Sequence, residues 1–278
     1  MFVDGHVHLY HREDVQRLLG AACRNMLAAS RASGQTAHYG LLLMADPAGV
    51  PGFEWLCTLP ASAESGRGEP RWHRLSQPDA STVHLCHGQG SDDALPIAVV
   101  GGNQIVSAEN LEILAFPADV DGGDCGQGEP IEEVVARVQA RGGLVILPWG
   151  VGKWLGTRAA VMERLLRDAD PGSVAVGDNG GRPGAWRRVG LLREAASSGF
   201  VNIAGTDPLP VAGEVDRVGS FGVRTQATPD ETWGFGAFRQ ALLGGRLLPF
   251  GSLLGPVDFL RKQLALRARP RGPAPQRA

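Results

Sequence analysis

His6 and His8, in the opening stretch Met1-Phe2-Val3-Asp4-Gly5-His6-Val7-His8-Leu9-Tyr10, are residues whose type and spacing could do chemistry. Phe2, Val3, Val7 and Leu9 suit a buried strand. Side chains alternate along a strand, so both imidazoles point the same way, about 7 Å apart at ~3.3 Å rise per residue. Two neutral imidazoles on one face can converge on a metal ion, or sit as satisfied polar groups at a strand end. Asp4 precedes the pair. Far downstream, Asp207 in Gly205-Thr206-Asp207-Pro208 offers a carboxylate as third ligand. It could equally brace its own turn, because an aspartate side chain accepts from backbone amides two residues on.

The elements that would position these groups read as alternating strands and helices. Arg12 to Ala32 carries an apolar stripe and stops at Gly34, which predicts a helix. Tyr39 to Ala45 is a continuous apolar run, as expected of a buried parallel strand. Residues 60–95 are the least regular. There Ser81-Thr82-Val83-His84-Leu85-Cys86-His87 alternates like a short surface hairpin, with a small zinc site at His84 and Cys86 as the competing reading. Ile97–Val106 and Leu111–Phe116 predict two closely spaced strands. The acidic loop after them, with Asp119, Asp121 and Asp124, departs from a calcium-loop spacing and reads as a solvated turn.

From Pro130 onward the alternation is regular. A helix over Ile131–Arg141 precedes strand Leu144–Leu147, and a helix over Arg158–Asp168, capped by Thr157, precedes strand Ser173–Val176. A helix over Trp186–Ser197 precedes strand Phe200–Ala204. Three successive strands thus empty into polar, glycine-bearing loops: Pro148-Trp149-Gly150, Gly177-Asp178-Asn179-Gly180-Gly181-Arg182 and Gly205-Thr206-Asp207. In a parallel barrel such loops share one rim, where sites are built, and closure sets late strands beside the first. That geometry joins Asp207 to His6 and His8. A strand near Phe221–Thr225, helices near Pro229–Leu243 and Val257–Arg267, and a disordered tail over 268–278 complete the chain, with 1–267 as a single domain.

Composition sets the limits. A chain of 278 residues, 43% apolar, can bury one large core. A net charge of −2 argues against nucleic-acid or membrane-surface binding driven by bulk charge, and no apolar run approaches membrane-spanning length. Cys23, Cys57, Cys86 and Cys125 are scattered, without a CxxC pair. They read as reduced thiols of a cytoplasmic protein.

Taken together, these motifs resemble the PHP family of metal-dependent phosphoesterases, whose fold is a distorted seven-stranded (β/α) barrel. Asp4, His6 and His8 match the family's opening DxHxH strand, Asn179 a late asparagine, and Thr206-Asp207-Pro208-Leu209 its closing Ser-Asp-x-His. Elsewhere ligands are replaced. Pro47 follows Asp46 where the family has histidine, Gly102-Asn103-Gln104 stands for its Gly-x-Glu, and Pro148-Trp149 for another histidine. The amidohydrolase superfamily is similar too, with an eight-stranded barrel. Its decarboxylase and lactonase branch starts with HxH, and it has Asp-His-x-Gly-Arg-Pro where this chain has Asp178-Asn179-Gly180-Gly181-Arg182-Pro183.

The resemblance therefore implies a TIM-like α/β barrel with a depleted site. Asparagine and glutamine are poorer ligands than carboxylate or imidazole, and Pro and Leu side chains do not ligate. One divalent ion (zinc, manganese or iron), held by His6, His8 and Asp207, is the expected cofactor. Asp207 and Asp178 are the expected catalytic residues, with Asp46 a second proton acceptor; Lys153, Asn179 and Arg182 are the expected substrate contacts. Cations on rim loops point to a small anionic substrate, most simply a phosphoester. Trp149, Trp154 and Trp186 either wall a pocket or pack against outer helices. The alternatives are an amidohydrolase-type hydrolase or decarboxylase, and an inactive barrel that serves as a binding or scaffold subunit for a protein partner.

Overall fold

The computed structural model describes residues 1–61, 71–88, 94–119, 126–150, 153–181, 190–253 and 255. Arg182, Trp186, Asp121, Asp124, the expected last helix and the tail lie outside them.

Strand β1 (Phe2–Val7) leads through a 3-10 turn at Arg12–Asp14 into α1 (Val15–Ser33). Gly34 ends that helix in the left-handed region at φ 63°, which a residue without Cβ adopts freely. Strand β2 (Gly40–Asp46) and the short α2 (Gly52–Cys57) follow. The irregular stretch contains a hairpin, β3 (Trp72–Asp79) and β4 (Thr82–His87), ahead of β5 (Ile97–Val106) and β6 (Glu112–Phe116). Then come α3 (Ile131–Ala140), β7 (Leu144–Trp149), α4 (Thr157–Asp168), β8 (Val174–Asp178) and α5 (Gly190–Ser197). The chain continues with β9 (Phe221–Arg224), α6 (Phe235–Gly244) and β10 (Leu248–Gly251).

All ten strands join one curled sheet, whose main path runs β10-β9-β1-β2-β5-β6-β7-β8, with the hairpin attached through β4 to β5. The strands β1, β2, β5, β7 and β8 are parallel, while β6 runs against its neighbours β5 and β7. Alternation along the strands separates two surfaces. Val3, Leu41, Leu43, Val100, Leu114, Phe116 and Ile146 pack inside the curl with Phe238 and Leu242 of α6. Outside, Leu18, Leu19, Ala22 and Met26 of α1 cover Phe2, Leu42 and Met44, and helices α3–α5 cover β7 and β8.

A closed, TIM-like barrel is not what forms. The sheet is open between β8 and β1, and helices do not alternate with every strand. The segment expected as strand Phe200–Ala204 makes only one isolated bridge, Val176 with Asn202. It nonetheless spans the gap by backbone bonds to both sides. Ile203 N–H donates to Val176 O (2.8 Å) and Gly205 N–H to Asp178 O (3.0 Å), while Gly5 N–H donates to Ala204 O (2.9 Å) and Asp207 N–H to His6 O (2.9 Å). Regular pairing fails because β1 gives the first half of its free edge to β9, at Phe2 and Val3. Close approach then depends on missing side chains: a Cβ on Gly205 would lie 2.1 Å from His6 N, and one on Gly5 2.5 Å from Ile203 Cγ2.

Two smaller expectations change. Thr157 is the first residue of α4, not its cap; Gly156 holds that position without a side-chain bond. Strand β10 is paired to β9 although its four residues carry no alternation signal.

Candidate metal centre

A bulge in β1 aims the two histidines. Asp4 pairs with Leu42 and Val7 with Met44, so three steps on β1 oppose two on β2. That extra residue inverts the alternation, leaving Val3 inside the curl and Val7 outside it. His6 and His8, on either side of Val7, are thereby turned to the inner face at the rim. Bulges commonly re-aim side chains in this way.

There the side chains converge. His6 Nε2 lies 2.9 Å from His8 Nε2, and Asp207 Oδ1 lies 3.7 Å from the first and 3.5 Å from the second. All three residues are buried. His8 Nδ1–H donates to the Ala45 carbonyl at 2.6 Å. A carbonyl can only accept, so the neutral ring keeps its Nε2 lone pair facing the cluster. Two imidazole lone pairs at this separation repel unless a proton or a cation lies between them.

The fit to an ion can be tested from these distances. The three atoms lie on a circle of radius about 2.0 Å, so an ion at its centre would meet each at the ~2.0–2.2 Å of zinc–nitrogen and zinc–oxygen bonds. Two imidazoles and one carboxylate suit a first-row transition metal better than calcium or magnesium, which favour oxygen. Among the described residues no other group of three His, Cys, Asp or Glu side chains converges in this way. This bears on the earlier zinc alternative: His84 is committed to Tyr39 (Nδ1 to the hydroxyl, 2.6 Å) and to the Trp233 carbonyl (2.7 Å).

Asp207 is held for the role. Its φ of 46° is a left-handed backbone conformation that aspartate tolerates better than most residues. Burial alone would raise its carboxyl pKa, but when no ion is bound and the imidazoles carry the extra proton instead, His6 and His8 together with the charge of Lys153 outweigh it and hold the group well below the usual carboxylate range. Asn179 Nδ2–H donates to Asp207 Oδ2 at 2.9 Å. The amide expected to touch substrate therefore fixes the carboxylate, leaving Oδ1 for the histidines.

The remaining expected residues surround this core. Asp178, buried, accepts from Gly180 N–H at 3.1 Å. Lys153 is half-buried and paired with the Glu112 carboxylate at the same rim. Trp149 and Trp154 pack in the outer core, which settles their use as packing. Asn103 donates to Ala118 O at 2.6 Å. Asp46, at the end of β2, accepts from Phe53 N–H at 2.9 Å, and burial pushes its carboxyl up to about 7, against the pull of His8. It borders an open cavity of about 790 Å³ lined by Pro47, Val50, Phe53 and Gln104.

Sequence reasoning missed the job of Asp4. Its carboxylate accepts from Thr206 N–H (2.9 Å), Thr206 Oγ1–H (2.7 Å) and Gly219 N–H (2.8 Å), with His6 N–H at 3.3 Å. It is a buckle between β1 and the loop that carries Asp207, and it is not a ligand. The only signal was an aspartate inside a buried strand, where a charge needs partners.

Neither a family model nor a curated protein matches the chain. A solved structure, PsfC from Pseudomonas syringae PB-5123, is similar over 95% of this chain and 98% of its own, at 17% identity and a TM-score of 0.51. At that identity the likeness concerns the fold alone.

Proposed function

We propose that this protein is a metal-dependent hydrolase of a small anionic substrate, most simply a phosphoester, working with one divalent ion held by His6, His8 and Asp207. The observation that carries the reading is the convergence of three ligand atoms on a circle of metal-bond radius, with the His8 tautomer and the Asp207 carboxylate both fixed by second partners. When bound, such an ion polarises a substrate oxygen and makes water a nucleophile near neutral pH.

The chain's own residues supply the rest. Asp46, with a carboxyl titrating near 7, can both take and return a proton at physiological pH. Asp178 is the alternative acceptor. Lys153 offers a cation at the rim, which a substrate phosphate would share with Glu112.

A second reading, an inactive binding subunit, draws on a specific observation: the Lys153–Glu112 pair and the side chains of Asn103 and Pro148 occupy rim positions without offering ligands. Metal content separates the two. Protein purified without chelator or histidine tag should carry about one zinc, manganese or iron per chain, and His6→Ala/His8→Ala none. Absence of metal from the unmutated protein, even after addition of divalent ions, would overturn the hydrolase reading.

A further inference from the structure

The opposite end of the sheet carries a second polar cavity, of about 460 Å³, that the metal centre does not use. It is framed where β1 begins, where β9 ends and where β10 starts, together with the loop that joins α1 to β2. His6 and His8 lie four and six residues along the chain from Phe2, roughly 13 and 20 Å away at ~3.3 Å per residue.

Its chemistry is one-sided. Arg224 and Arg246 both line it, with His38 nearby, and no lining residue is acidic. Thr36, Thr228 and Gln35 add neutral donors. Among the described residues neither arginine has a carboxylate partner, although five other cationic side chains do: Arg17, Arg137, Lys153, Arg164 and Arg217. Arg224 is half-buried, so its charge is partly removed from water without compensation. A guanidinium stays charged at any physiological pH and cannot neutralise itself to escape that cost. In a chain of net charge −2, two such groups sharing a cavity are a local excess that an anion would relieve.

We propose that this cavity binds a phosphate-bearing small molecule through Arg224 and Arg246. Two planar donor forks match the oxygens of a phosphate group, and the hydroxyls and amide suit the polar body attached to it. The volume exceeds what a bare phosphate fills, so the phosphate is one part of the ligand. The inference does not depend on the metal centre or on hydrolysis.

The test is calorimetric titration of the full chain with inorganic phosphate and pyrophosphate at constant ionic strength, set against chloride. Saturable binding is expected, at least tenfold weaker in Arg224→Gln and in Arg246→Gln, and unchanged in His6→Ala/His8→Ala. Arg246 is exposed, so its variant folds even if Arg224→Gln does not. Three results would overturn the proposal: no saturable binding, equal affinity in Arg246→Gln, or loss of binding in the histidine variant, which would place the anion at the metal centre.

Discussion

Replacing Asn179 with leucine removes two side-chain hydrogen bonds, the one it donates to Asp207 and the one it accepts from Gly181 N–H (3.1 Å), and leaves all three candidate ligands in place, so it tests how far orientation matters at the metal centre. The bond from Asn179 Nδ2 to Asp207 Oδ2 is 2.9 Å long, buried, and has a charged acceptor. Bonds of that kind contribute about 1.5–3 kcal/mol. If the amide held Asp207 equally well with and without an ion, the whole loss would fall on stability and none on metal affinity. The geometry argues for a division. Only Oδ1 faces the histidines, and it does so because Oδ2 is anchored. Freed, the carboxylate can turn either oxygen, or neither, toward the ion. We expect Asn179→Leu to weaken zinc binding about tenfold or more, in the ~10–100-fold range of outer-shell substitutions. Competition against a chelating dye measures this, and denaturant unfolding of the metal-free protein measures the remainder. A double-mutant cycle with Asp207→Asn then gives the coupling. A change in zinc affinity below threefold, with coupling under ~0.5 kcal/mol, would refute the assignment of Asn179 as the residue that positions Asp207.

Three further predictions rest on other parts of the fold. Asp4→Ala strands four buried donors, three of them closely bonded, at about 1–3 kcal/mol each before the relief of a buried charge, so it should lower unfolding stability by ~2–4 kcal/mol and weaken metal binding without touching a ligand. Gly205→Ala places a Cβ 2.1 Å from His6 N and should lose both stability and metal, whereas Gly236→Ala, with nothing within 4 Å in α6, should be neutral or slightly stabilising. His84 should make stability pH-dependent. Burial lowers its pKa below 6.5, outweighing the bond to Trp233 O and the carboxylates of Asp79, Asp230 and Glu231. Below pH ~6.5 the unfolded chain takes up a proton that the folded chain refuses, so stability falls as pH drops from 6.5 toward the folded pKa. Asp46 and Asp4, whose carboxyls burial raises to about 7 and about 6, add an opposite trend, so the difference in melting temperature between the unmutated protein and His84→Gln from pH 7 to 5 should show this slope.

Much of the element order was legible because apolar runs here are bounded by glycine and proline. Tyr39–Ala45 and Leu144–Leu147 read as buried strands; β2 starts one residue later than the first, and β7 contains the second. The candidate ligands were legible by type alone, since His6, His8 and Asp207 carry groups that few other residues can replace. What escaped was tertiary. The bulge in β1 depends on the register against β2, which no local pattern encodes. Residues 200–204 have the composition of a strand, yet one of their neighbours, β1, spends half its edge on β9, so regular pairing cannot run through. The bond from Asn179 to Asp207, 28 residues away, escaped as well, because it is set only by the approach of β8 to the Asp207 loop.

The same asymmetry explains why a rim so short of ligands could still serve one ion. Pro47, Asn103, Gln104 and Pro148, which offer no imidazole or carboxylate, lie on the arc from β2 through β5 to β7. That arc also holds the Lys153–Glu112 pair, which neutralises its own charge. The candidate groups sit across the gap between β8 and β1, where Asp178, Asn179 and Asp207 face His6 and His8. This is the place where the backbone is least regular, and where Asp4, Gly5 and Gly205 hold two segments together without side-chain bulk. Ligand groups spread singly around a rim would be isolated imidazoles and carboxylates, whereas His6, His8 and Asp207 gathered across this gap form a compact three-atom cluster with the means to hold a single cation.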